Sequence, residues 1–272
     1  MTSVVVENVS VDFPIYGSRR SLRKALFERA TGGLILRGEG RHQGMLVVKA
    51  LSNISFKLQE GDRLGLVGHN GAGKTTLLKV LAGVYEPISG RVLVNGKITP
   101  LFDMMPGLDG EDTGYQNIVT MGMLLGMSRA EIEARIPEIE QFSELGEYLD
   151  LPVRTYSAGM TARLGFAVAT AIEPGILLMD EGLGAGDARF AERAANRMKE
   201  FVGRSRVIVL ATHSEPMLRS MCNKAALMHE GHMINFGSVQ EILDQYYSIV
   251  HGVFTPVIPV SGEAPYVGAG QS

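Results

Sequence analysis

Residues 68–75 read Gly68-His69-Asn70-Gly71-Ala72-Gly73-Lys74-Thr75, with Thr76 next. Glycines at these positions let backbone N–H groups curl around an anion that any side chain would keep at a distance. A lysine at the end of such a loop can reach the β- and γ-phosphates of a nucleotide, and the Thr75 hydroxyl can ligate Mg²⁺. The pattern G-x-x-x-x-G-K-[ST] therefore predicts a phosphate-binding loop. Two more places could join that chemistry. The apolar run Ile176–Met179 ends on Asp180 and Glu181. An acid at such a strand end can hold Mg²⁺, directly or through water, and its neighbour can polarise a water in line with the γ-phosphate. His213 follows the apolar run Val207–Ala211, where a neutral imidazole can donate to a phosphate oxygen. On its own the loop says nucleotide and leaves the purpose open.

These residues need elements that bring them together. Residues 63–67 read as a short buried strand and Thr75–Leu81 as a helix start, so the loop lies between strand and helix, as the motif requires. The helix points its positive end at the bound phosphates. Residues 3–13, 51–58 and 91–98 alternate apolar and polar, which predicts antiparallel strands with one wet face. The continuous apolar runs 176–179 and 207–211 suit central parallel strands. Residues 225–228 and 233–236 read as late strands around a Gly231 turn, and Val239–Val250 as a closing helix. From Met104 to Ile172 the pattern is helical, with a capping box at Ser128-Arg129-Ala130-Glu131 and a helix over 160–172. The expected fold is α/β of the P-loop NTPase type. It has a mixed sheet, an antiparallel β subdomain and an inserted α-helical subdomain over about 104–172.

The 272 residues are 45% hydrophobic and 20% charged, enough for a sizeable core. A net charge of −3 with no basic stripe argues against a nucleic-acid partner. The single cysteine, Cys222, cannot form an internal disulfide, which suits a reducing compartment. No run reaches the roughly 18 apolar residues of a membrane span, so another chain would have to supply one. Residues 18–30 carry Arg19, Arg20, Arg23, Lys24 and Arg29 against Glu28 alone, with Leu22, Ala25, Leu26 and Phe27 near one helical face. This basic amphipathic insert reads either as a solvated surface helix or as one lying on a membrane or a partner. Residues 251–272, rich in Pro and Gly after Thr255, read as a flexible tail following a domain over 1–250.

Tyr156-Ser157-Ala158-Gly159-Met160, between the loop and Asp180, resembles the signature motif of ATP-binding cassette (ABC) ATPases, usually Leu-Ser-Gly-Gly-Gln. Ser157 and Gly159 match; Tyr156, Ala158 and Met160 depart. The order of loop, signature, acidic strand end and histidine fits that family over about residues 1–250. The resemblance implies ATP and Mg²⁺ as cofactors, Glu181 as catalytic base, Asp180 as the magnesium-associated acid and His213 as the switch histidine. It also implies Asp187 as the acid of the D-loop within Gly184-Ala185-Gly186-Asp187. The family's Q-loop glutamine is missing; Asp103 or Met104 falls nearest its place, and Asp103 becomes a candidate metal-side residue. The adenine-stacking aromatic at the end of the first strand falls nearest Phe13, with Tyr16 second and core packing as the alternative for Phe13.

The departures resemble one branch. Arg154-Thr155-Tyr156-Ser157-Ala158-Gly159-Met160, residues 100–109 and Thr113-Gly114-Tyr115-Gln116-Asn117-Ile118 are similar to bacterial polysaccharide-export ATPases of the Wzt, KpsT and TagH type. That implies a homodimer in which the phosphate loop of one copy meets Ser157, Ala158 and Gly159 of the other. It also implies two separate multi-spanning permease subunits and a lipid-linked glycan as cargo. The location implied is the cytoplasmic face of the inner or plasma membrane. Some members append a carbohydrate-binding β-domain; the 251–272 segment is not expected to supply one. The competing readings are another ABC importer or exporter, or a DNA-repair or translation ABC protein. The signature form weighs against the first, and the lack of heptads, a second cassette or a basic stripe against the second.

Overall fold

A computed structural model describes residues 1–15, 34–37, 46–102, 104–180, 188–254 and 256. Two compact units emerge, residues 1–96 with 207–272 and residues 97–206. Asp103, Glu181, Asp187, Tyr16, the 18–30 insert and nearly all of the tail lie outside the described residues.

In the first unit, β1 (Ser3–Ile15) is flanked by β3 (Leu46–Gln59) and β5 (Ser89–Asn95), both antiparallel to it. A short β2 (Leu34–Arg37) extends the edge along the first half of β3. The alternation in the sequence becomes a buried face: Val4, Val6, Val9 and Val11 of β1 face the core with Leu51, Ile54 and Leu58 of β3. Residues 91–98 do not form one strand as expected. Gly96 turns the chain with φ 130°, and Ile98–Pro100 forms β6, which runs parallel to β7 (Ile176–Met179) in the second unit. A period-two pattern is blind to a glycine turn that moves the following residues into another sheet.

Also in the first unit, β4 (Arg63–Val67) lies parallel to β8 (Val207–Ala211) on one side and β9 (Lys224–His229) on the other. The hairpin strand β10 (His232–Gly237) closes the set antiparallel to β9. Every residue of β8 is buried, as its unbroken apolar run requires. Helix α7 (Val239–Val250) lays Val239, Ile242 and Leu243 against Val67, Ala225 and Leu227. Each Val, Leu or Ile side chain so removed from water contributes roughly 1.5–3 kcal/mol.

The second unit is built on α2 (Gly114–Leu124), α3 (Arg129–Ser143), α4 (Ala158–Ala171) and α5 (Ala188–Arg204), besides β6 and β7. The Ser128–Glu131 capping box forms as expected, and Thr113 with Gln116 makes a second one on α2. Phe142, Phe166 and Phe190 form an aromatic cluster where α3, α4 and α5 meet, with the Arg193 and Arg197 guanidinium groups over the Phe142 ring.

Candidate nucleotide site

The site begins where β4 ends. Val67 leads into the loop, and α1 (Lys74–Leu81) starts directly after Gly73. Gly68, Gly71 and Gly73 take φ values of 155°, 80° and 103°, a region that disfavours any side chain. Space forbids side chains as well. A Cβ at Gly68 would lie 2.2 Å from the Met228 carbonyl oxygen, and one at Gly73 would lie 2.9 Å from that of Ala50. The loop rests on the β9–β10 turn, where the Gly231 N–H donates to the Ala72 carbonyl at 3.1 Å. The same glycine's carbonyl accepts from the Ser52 N–H of β3 at 2.9 Å. Turn, loop and β3 thus hold one another.

Helix α1 differs from its neighbours at its N-terminus. Helices α2, α3, α4, α6 (Glu215–Met221) and α7 each begin with a Ser or Thr whose hydroxyl accepts a backbone N–H. Helix α1 starts from Gly73 with no side-chain cap and no acid in its first turn. Without a capping side chain or an acid there, the positive dipole end of the helix faces the loop, the arrangement that favours a bound anion.

Lys74 is buried, and its ammonium donates to the Gly68 carbonyl at 2.6 Å and the His69 carbonyl at 3.1 Å. Its Nζ also lies 3.3 Å from Nε2 of His213. This meeting follows from topology: β4 and β8 are parallel neighbours, so the segments leaving their C-terminal ends emerge on the same side. A neutral imidazole with its lone pair on Nε2 can accept from the ammonium, and His213 itself is exposed. Thr75 is exposed, Thr76 half-buried, and Asn70 and Gly71 face solvent, while Ala72 is buried against the turn. The His69 ring meets His229 edge to face at 4.9 Å.

Phe13 lies near the end of β1 and packs edge-on against Tyr85, with ring centroids 5.1 Å apart. Lys79 of α1 sits over the Tyr85 ring at 5.5 Å. Tyr85 was not a sequence candidate, because nothing in its own neighbourhood shows that the turn after α1 returns to β1.

The second unit carries the remaining described candidates. Asp180 directly follows β7, whose four residues are all buried. Ser157 is the N-cap of α4; its hydroxyl accepts from the Met160 N–H at 3.2 Å. Ser157 and Ala158 are exposed and Gly159 half-exposed, so a second helix N-terminus is presented outward.

Strand, glycine loop, uncapped helix and loop-bound lysine define a P-loop nucleotide-binding protein. A family model described as "ABC transporter" matches residues 51–184. The chain is 47% identical over 232 residues to the O-antigen export system ATP-binding protein RfbE of Yersinia enterocolitica, covering 85% of this chain and 96% of that one. It is 41% identical to RfbB of Myxococcus xanthus, named likewise, and 37% identical to the teichoic acids export ATP-binding protein TagH of Bacillus anthracis. It covers 78% and 89% of its own length in those two matches but only 48% and 42% of theirs. Among solved structures, an ATP-binding subunit of an ABC transporter superposes with a TM-score of 0.65 at 22% identity, covering 91% of this chain and 99% of that one. A dimeric ATP-binding cassette holding ADP and Pi superposes at 0.59 and 19%, covering 87% and 98%; both likenesses speak to the fold. The chain belongs to the ABC transporter family, as one of its ATP-binding cassette ATPases.

Proposed function

We propose that this protein hydrolyses ATP to drive export of a lipid-linked polysaccharide through separate membrane-spanning permease subunits. The observation that carries the ATP half is the Lys74 ammonium, held on two loop carbonyls beside His213 at the foot of an uncapped helix. Phosphate oxygens outcompete neutral carbonyls for that ammonium, so the loop is poised to exchange internal acceptors for a nucleotide. The export half is supported by the 47% identity to an O-antigen export protein over nearly its whole length, together with the Tyr-Ser-Ala-Gly-Met signature. Among the described residues no helix is long and apolar enough to cross a membrane, which is compatible with a permease made by other chains.

The residues divide the work. Gly68–Gly73 amides and Lys74 bind the phosphates, and Phe13 offers a flat face to adenine. Thr75 and Asp180 are the oxygen donors that would hold Mg²⁺. A hydroxyl and one carboxylate suit a hard cation that takes its remaining ligands from phosphate and water. When bound, that ion neutralises charge building on the phosphates. Glu181 orients and deprotonates the attacking water, His213 donates to the γ-phosphate, and Asp187 contributes at the facing copy.

Ser157, Ala158 and Gly159 of a second copy complete the site with their helix N-terminus. ATP then binds the closed pair better than the open one, and this difference is the work available for transport. In this reading the 18–30 insert lies at the cytoplasmic membrane face, where its basic residues suit an anionic lipid-linked headgroup. The test is a deletion strain complemented with wild-type or Glu181→Gln protein. Lipid-linked glycan should accumulate inside the cell with the variant and reach the surface with wild type. Normal surface glycan without functional protein would overturn the export reading.

A further inference from the structure

Two motifs that set this sequence apart, Thr113-Gly-x-x-Asn117-Ile and Tyr156-Ser-Ala-Gly-Met, lie about 40 residues apart in the chain yet form one interlocked structure. Residues 110–114 and 151–154 run antiparallel as a short clasp. The Arg154 N–H donates to the Gly110 carbonyl at 2.9 Å, Val153 N–H to Asp112 at 2.9 Å and Gly114 N–H to Leu151 at 3.3 Å. A bridge between Thr113 and Pro152 lies between them. Asn117, fully buried, holds the first strand of the clasp from within. Its amide donates to the carbonyls of Asp109, Asp112 and Thr113 at 2.8, 3.2 and 3.0 Å, and its own carbonyl accepts from the Asp109 N–H at 2.8 Å.

Tyr156 locks the other end. Its hydroxyl donates to the Tyr148 carbonyl at 2.6 Å and lies over Gly114, where a Cβ would come within 2.4 Å of it. The phenol takes the place of the family's usual leucine, and Gly114 is the vacancy that admits it. Ser157 follows immediately as the exposed N-cap of α4. Ser157 is bonded directly to Tyr156, so the clasp anchors the point from which that hydroxyl and the first amides of α4 project.

We infer that Asn117 and Tyr156 are positioning residues for the half-site carried by Ser157: they hold the signature helix N-terminus in the geometry that a second copy's nucleotide requires. This rests on the trans-site reading above. Nucleotide binding by a single copy uses the phosphate loop, which neither residue belongs to. The expected signature is therefore a split, with single-copy ATP affinity kept and ATP-driven pairing weakened.

Tyr156→Phe and Asn117→Ala are made in the full chain carrying Glu181→Gln, which holds ATP without turnover. ATP affinity is measured by calorimetry at protein concentrations below pairing, ATP-dependent dimerisation by sedimentation, and thermal stability by melting. Tyr156→Phe should leave ATP affinity within about twofold and weaken dimerisation about five- to tenfold, the scale of one hydrogen bond. Asn117→Ala, which removes a donor from three carbonyls and the acceptor of the Asp109 N–H, should weaken it more. Dimerisation at parental affinity in both variants overturns the inference and leaves the trans site standing. A parallel fall in melting temperature, ATP affinity and pairing in both variants means a merely structural role and overturns it too. Failure of the Glu181→Gln parent itself to pair with ATP overturns the trans-site reading and this inference together.

Discussion

Replacing Lys74 with Met tests how the loop holds its ligand. The side chain is 8% exposed, and its ammonium rests on carbonyls at 2.6 and 3.1 Å. Methionine fills the same channel without the charge. Hydrogen bonds to a charged group contribute about 1.5–3 kcal/mol each, and phosphate is a better acceptor than the carbonyls it displaces. Losing that exchange should cost ATP about 2–4 kcal/mol, or about 30- to 1,000-fold in Kd. The empty protein should suffer less. Two carbonyls lose a donor, but a charge no longer has to be buried, so a net loss of about 1 kcal/mol and about 2–4 °C in Tm is expected. Calorimetric titration with ATP and melting with and without nucleotide measure both quantities. Wild-type ATP affinity in the variant would refute the claim that Lys74 moves from carbonyls to phosphate.

Three further outcomes are expected. Glu181→Gln should bind ATP as wild type does, pair more stably and lose turnover; steady-state hydrolysis at the wild-type rate would remove Glu181 as the base. Burial pushes the Cys222 thiol up to about 12, against the opposing pull of Arg63. Its thiolate fraction at pH 8 should then be on the order of a thousandfold below that of a free cysteine, and labelling by Ellman's reagent correspondingly slow, while labelling at the free-cysteine rate would contradict a packed α6. Burial first and the neighbouring His69 second hold His229 below the ordinary imidazole range; His232 adds to this and Glu230 opposes it. The unfolded chain therefore binds this proton more readily, so the contribution to stability is full above about pH 6.5 and is lost as pH falls through the folded value. His229→Asn should flatten melting temperature against pH in that window, and an unchanged slope would contradict it.

The parts legible in the sequence were those whose chemistry is local. Backbone cradling of phosphate demands glycines at set intervals, so 68–75 announced itself. The unbroken apolar runs of β7 and β8 placed Asp180 and His213 at strand ends for the same reason. What stayed hidden was set by partners distant in sequence. No local pattern shows that Gly231 supports Ala72, that Tyr85 packs on Phe13, or that Asn117 secures the strand beside Tyr156. The break at Gly96 was missed because alternation continues across it while the sheet does not. The amphipathic α5 lies between two continuous apolar runs that mark their strands more sharply, and β2 is a four-residue edge whose pairing depends on β3 being longer than its own alternating core.

The central claim is that each chain carries two half-sites, one on the phosphate loop and one at Ser157, and that neither works without a second copy. Mixing two inactive variants tests it most directly. Lys74→Met destroys the first half and Ser157→Arg the second. In a mixed dimer one composite site carries both lesions and the other carries none. Each variant alone should be inactive. An equal mixture, in which about half the dimers are mixed, should recover roughly a quarter of wild-type ATP hydrolysis if sites fire independently. A mixture as inactive as its components, with mixed dimers shown to form, would contradict a site built from two copies.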